Sequence, residues 1–141
     1  MTQIGVGLVG FGLSGRVFHA PFVQASEDLA LRAVVSSDPA KVHDRLPGIT
    51  VVPSVEALLA EPGIELVIVA SPDDSHADHA VAALDAGKHV LVEKPVATTL
   101  GDARRMRDAA QRISEEICAP YGHPYDSTAK RESATPSEYR R

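Results

Sequence analysis

Three glycines, at positions 10, 12 and 15, stand in "GFGLSG", directly behind the apolar run "IGVGLV". The spacing G-x-G-x-x-G between a strand and a helix is suited to holding a dinucleotide. Gly10 permits a tight turn, Gly12 lets the backbone approach a pyrophosphate, and Gly15 lets the helix pack close to the strand. The helix N-terminus adds unpaired N–H groups and partial positive charge. The competing reading is a glycine-rich strand–helix turn that holds no ligand. NAD sites usually place an acidic residue at the end of the second strand to bind the ribose 2′-OH. Here "AVVSSDP" puts Ser36 and Ser37 at that point, with Asp38 behind them. Two hydroxyls do not repel a 2′-phosphate, and Lys41 follows one helical turn later, so the pattern leans to NADP without excluding NAD. Equally, the two serines fit a simple lead-in to a helix capped by Asp38.

Two other chemistries can be weighed from residue types. His76 and His79, with Asp73, Asp74 and Asp78, are metal-ligating types. They lack H-E-x-x-H or Cys/His spacing and read better as a helix start, so no metal is expected. Ser14 does not sit in a G-x-S-x-G elbow, which removes a serine nucleophile.

The elements that must position these residues alternate. Strands are expected over 4–9, 31–35, 50–52, 64–70 and 89–93. A short helix should start near Ser14 and be limited or kinked by Pro21. A second is capped by Asp38, with Pro39 in its first turn, and ends near "LPG". A third runs from a Ser54 cap to Pro62-Gly63. A fourth covers 75–86, with Ala77, Ala80, Val81 and Leu84 on one face and Gly87 closing it. A fifth opens at Thr99 and Asp102, with Leu100, Ala103, Ala110 and Ile113 on its apolar side. Such alternation is α/β: a Rossmann-type, doubly wound parallel sheet with right-handed crossovers. One domain is expected over residues 1–113. Residues 114–141 read as a divergent polar tail, with a single strand over 116–121 and disorder after it.

Composition narrows the class. A chain of 141 residues suits one domain, and 44% apolar with 23% charged residues is ordinary for a soluble protein. The net charge of -5 argues against a nucleic-acid surface. No apolar run is long enough to span a membrane, and no basic segment precedes the first strand, so no signal peptide is expected. Cys118 stands alone, which excludes an internal disulfide and fits a reducing cytoplasm.

"VASPDDSH" at 69–76 and "GKHVLVEKP" at 87–95 follow two successive strands, so both loops should share the ligand side with the glycine turn. Together, "GLVGFGLSGRVFHAPF" and "VIVASPDDSHADHAVAALDAGKHVLVEKPVATT" resemble the N-terminal domain of the glucose–fructose oxidoreductase/inositol dehydrogenase (Gfo/Idh/MocA) family, over about Ile4 to Ile113. "GRVFHAPF" is similar to a branch containing NADP-linked sugar or inositol dehydrogenases. The resemblance implies that Gly10, Phe11, Gly12, Leu13, Ser14 and Gly15 hold the pyrophosphate, beside the ribose position read above for Ser36 and Ser37. It implies that Ser71, Pro72 and His76 lie along the cofactor and that Glu93, Lys94 and Pro95 sit near the nicotinamide. Lys94 is then the catalytic lysine, helping to bind substrate and tune proton transfer. An ammonium beside a substrate hydroxyl stabilises developing alkoxide charge, and partial burial would tune its proton affinity.

Family enzymes carry a second, substrate-binding domain, and none is expected after Ile113. The implied function is a hydride-transferring NAD(P)-dependent oxidoreductase domain for a CH–OH group of a sugar, polyol or related compound. This chain alone should bind nucleotide with little turnover. The alternatives are a non-enzymatic nucleotide-sensing or interaction module, or a truncated fragment. An exposed sheet edge also suggests a homo-oligomer.

Overall fold

Branched apolar residues dominate five short segments, and in the computed structural model, which describes residues 3–118, these segments are the strands. They are β1 (Ile4–Val9), β2 (Leu29–Val35), β3 (Thr50–Val52), β4 (Leu66–Val69) and β5 (His89–Val92). All pairings are parallel and the order is β3-β2-β1-β4-β5. The strand order therefore reverses between β1 and β4, which opens a crevice at their carboxyl ends. Register makes that edge level: Val9 pairs with Val35 and Val69, Val35 with Val52, and Val69 with Val92. Each following loop begins with one more backbone bond: Gly10 donates to Val35, Ser36 to Val52, Ala70 to Val9 and Glu93 to Val69.

Five α-helices flank the sheet: α1 (Ala20–Ala25), α2 (Pro39–His43), α3 (Val55–Ala60), α4 (His76–Asp85) and α5 (Leu100–Cys118). They bury two separate cores. In one, Val6, Leu8, Val34 and Ile68 of the sheet meet Ala20 and Val23 of α1 and Val42 of α2. In the other, Val9, Val67 and Val69 meet Leu58 of α3, the Ala77, Ala80 and Ala83 face of α4, and Met106 of α5. A three-layer α/β domain results.

The expected caps form. The Asp38 carboxylate accepts the Lys41 N–H, the Ser54 hydroxyl accepts the Ala57 N–H, and the Thr99 hydroxyl accepts the Asp102 N–H. Gly87 takes φ 72° behind α4. Other details differ from expectation. β2 starts at Leu29, and β4 is confined to 66–69. Pro21 does not stop the first helix: a π turn over Gly15–His19 precedes it, closed by an Ala20 N–H bond to the Gly15 carbonyl. A proline offers no N–H, and the wider turn ends just before it. Over residues 100–114 of α5 the buried residues are Met106 and Ala109, whereas Leu100 is 66% exposed and Ala110 is exposed. Ion pairs from Arg105 to Asp78 (2.7 Å) and from Arg112 to Asp85 (3.0 Å) accompany this facing of α5 toward α4. The helix also passes the boundary expected at Ile113. Residues 116–118 are helical, not the first half of a strand over 116–121. The remainder of that expected strand, and the tail to 141, lie outside the described residues.

Candidate functional site

The glycine turn leaves β1 at the reversal point. Gly10 has φ 96°, a conformation that side-chain-bearing residues rarely adopt. A Cβ on Gly15 would lie 2.2 Å from the Gly10 carbonyl oxygen, so Gly15 lets the helix sit tightly on the turn itself. Gly12 differs from both. A Cβ there would meet no protein atom within 4 Å, and its φ is not in the left-handed region. Nothing in the fold requires glycine at position 12. The space beside it is open, as a closely approaching ligand needs.

That space belongs to a cleft of about 720 Å³. Its floor and one wall are Gly10, Phe11, Gly12, Leu13 and Ser14; Ser36, Ser37, Asp38 and Lys41 stand beyond β2; Ala70, Ser71, Pro72 and His79 close the β4 side. The structure thus gathers most of the expected cofactor residues around one crevice. Ser36 and Asp38 also serve the cap reading, because the Ser36 hydroxyl accepts the Asp38 N–H at 3.1 Å. Ser71 is held by two neighbours: its hydroxyl is 2.9 Å from His79 Nδ1 and accepts the Ser75 hydroxyl at 3.2 Å. Burial holds the His79 imidazole below its ordinary pKa, against the opposing pull of Asp78 and Glu56.

His76 departs from expectation. It is fully buried and does not line the cleft. Nδ1 lies 2.9 Å from the Pro95 carbonyl and Nε2 lies 2.8 Å from the Ser71 carbonyl. Each nitrogen lies at hydrogen-bond distance from a backbone oxygen, so the ring ties the loop after β4 to the loop after β5. With His79 bonded to Ser71, the two histidines serve separate purposes. Among the described residues, no group of three His, Cys, Asp or Glu side chains could hold a metal ion.

Glu93, Lys94 and Pro95 follow β5, outside the cleft lining. The peptide between Lys94 and Pro95 is cis. Lys94 is exposed, so the partial burial expected for it is not supplied by the described residues. Its neighbour is tightly engaged. Glu93 Oε2 accepts the Ser14 hydroxyl and lies 2.7 Å from His19 Nε2, while Oε1 accepts the Lys94 N–H at 2.9 Å. The Ser14 hydroxyl, then the Lys94 N–H, then His19 lower the Glu93 carboxyl pKa to about 2. His19 received no role from its sequence position. Its only available signal was a histidine within "GRVFHAPF", and the partner that explains it lies 74 residues away.

Comparison with known proteins agrees with this geometry. Residues 4–119 match the family model described as an oxidoreductase family with an NAD-binding Rossmann fold. Over 127 residues the chain is 37% identical to a scyllo-inositol 2-dehydrogenase (NADP(+)) of Bacillus subtilis, covering 90% of this chain and 36% of that protein. A 3-ketoreductase from Actinomadura kijaniata, solved with NADP and TDP-benzene, superposes with a TM-score of 0.73 at 29% identity, covering 80% of this chain and 35% of that one. GenD2 of gentamicin A biosynthesis, solved with NAD, also gives 0.73, at 34% identity, with 80% and 33% covered. The chain spans about a third of the length of these relatives.

Proposed function

Because the chain belongs to the Gfo/Idh/MocA oxidoreductase family, as its NAD-binding Rossmann domain, we propose that it forms the cofactor half of a dehydrogenase acting on a CH–OH group of a sugar, polyol or related compound. The observation that carries this reading is the open cleft at the strand reversal, beside a glycine that the protein's own packing does not require. When bound, the nicotinamide supplies the hydride acceptor or donor. The chain's residues do the rest. N–H groups of the turn and the first helix face the pyrophosphate and offset its charge. Ser36 and Ser37 meet the adenosine ribose without a carboxylate at that position, and Lys41 sits in the same wall. That lining favours a 2′-phosphate, hence NADP, because the carboxylate of Asp38 in the same wall is engaged in its cap. Ser71 and Pro72 close the opposite side. Lys94, exposed and beyond the cleft, is free to reach a substrate hydroxyl and stabilise its oxyanion as hydride leaves.

A wall for the substrate beyond Lys94 is not found among the described residues, so this chain alone should bind nucleotide and turn over little. A purely interaction-based module fits less well, because it gives no reason for the open space at Gly12. Cytoplasmic residence belongs to the same reading, resting on the single cysteine. No helix among the described residues is long and apolar enough to cross a membrane. Self-association also belongs to it, since Phe18, Phe22, Leu91 and Val96 are exposed. Sedimentation at several concentrations measures it, and a monomer throughout removes it. The test of function is calorimetric titration with NADPH and NADH, followed by turnover assays over a polyol panel. The chain has no tryptophan, so bound NADPH can also be followed by its own fluorescence. Saturable binding supports the reading; no binding at millimolar nucleotide overturns it.

A further inference from the structure

The cluster of Ser14, His19 and Glu93 joins the glycine turn to the loop after β5, the two halves of the proposed site. We propose that these residues form a strut between the dinucleotide turn and Lys94, in which His19 is a positioning residue acting through Glu93. The proposal rests on the dinucleotide reading above.

Three features carry it. First, Ser14 lines the cleft at the glycine turn, and its hydroxyl donates to Glu93 Oε2. Second, the other Glu93 oxygen accepts the backbone N–H of Lys94, so the carboxylate holds the stem of Lys94 and leaves its side chain exposed. Third, the π turn explains why a histidine five residues after Ser14 reaches the same carboxylate oxygen. In an α-helix, residues five apart point to diverging faces, because a turn takes 3.6 residues. An i→i+5 turn stacks them. The Ala20-to-Gly15 bond is such a turn, and Ser14 and His19 converge on Glu93 Oε2. π turns inside helices frequently mark functional sites. Charge-assisted bonds of this kind are roughly twice as strong as neutral ones. Three donors on one partly buried carboxylate therefore make a stiff link.

Phosphate occupancy at the glycine turn should then be felt at Lys94 without any direct contact. ADP is a suitable probe, because it fills the adenosine and pyrophosphate part and has no nicotinamide. The Lys94 amide is followed in ¹⁵N–¹H spectra of the full chain during ADP titration, with the remaining amide dispersion reporting that each variant is folded. In the unsubstituted chain, ADP should shift the Lys94 amide saturably. Glu93→Gln should bind ADP and lose that shift. His19→Ala should reduce it, and His19→Gln, which restores a donor at the Nε2 position, should recover it. A helix contribution from His19 that was merely structural would not be rescued in this way. ADP binding with an unmoved Lys94 amide, or a shift of equal size in Glu93→Gln and His19→Ala, overturns the strut alone. Failure of both ADP and NADPH to bind the unsubstituted chain overturns the dinucleotide reading itself.

Discussion

Replacing Gly12 by alanine should raise stability and destroy nucleotide binding at once. A Cβ at position 12 meets no protein atom within 4 Å, and the residue's φ lies outside the left-handed region. Gly→Ala at such a site stabilises by about 0.4–1 kcal/mol, through lost freedom of the unfolded chain. For a domain of this size that is roughly 2–5 °C in Tm. The same methyl group occupies the space the pyrophosphate needs. In the unsubstituted protein, NADPH at 100 times its Kd should stabilise by about 2.7 kcal/mol, an upward shift of roughly 10 °C. Gly12→Ala should show the small rise without ligand and almost none of the ligand shift. Gly15→Ala is the control of opposite sign. Its Cβ would lie 2.2 Å from the backbone oxygen of Gly10, so the turn must move, at a cost of about 1–3 kcal/mol or more. Thermal unfolding with and without NADPH reads both variants. A Gly12→Ala protein that melts several degrees lower without ligand, or that keeps the full NADPH shift, refutes the reasoning.

Three further outcomes are expected. His76→Ala should lower unfolding free energy by about 2–4 kcal/mol, because a fully buried ring is removed, a cavity opens and its hydrogen bonding to the Ser71 and Pro95 carbonyls is lost; chemical denaturation measures it. The Glu93 carboxyl falls to about 2 in the folded protein from 4.5. Its contribution is therefore fully present above pH 4.5 and fades as pH drops toward 2; Glu93→Gln should flatten that part of the stability–pH curve, and parallel curves would contradict the assignment. Lys41→Ala should weaken NADPH binding about fivefold to tenfold while leaving NADH within about twofold, measured by fluorescence titration; equal losses for both would remove the 2′-phosphate preference.

Local signals were legible where a residue's own chemistry decides its conformation. Asp38, Ser54 and Thr99 cap helices because each carries a short oxygen that reaches an N–H two or three residues on. Gly10 and Gly87 fall at turns that need positive φ. The valine-rich runs became level parallel strands, and the central ones, β1 and β4, are buried on both faces. What sequence could not show depends on distant partners. The buried stripe of α5 moved to Met106 and Ala109 as α5 packed on α4, and Leu100 was left outside. The burial of His76 between the carbonyls of Ser71 and Pro95 depends on two loops meeting, which its local sequence does not encode. The π turn and the pairing of His19 with Glu93 depend on a contact across most of the domain, and no local propensity encodes it. At residues 114–118 the polar composition suggested a tail, yet the backbone continues α5 as far as Cys118.

The most direct test of the central claim is calorimetric titration of the 141-residue chain with NADPH, run beside Gly12→Ala. One saturable site in the unsubstituted chain, lost in a variant that remains folded, is the predicted result. No heat at millimolar nucleotide, or equal binding by both proteins, would contradict the assignment of this cleft to a dinucleotide.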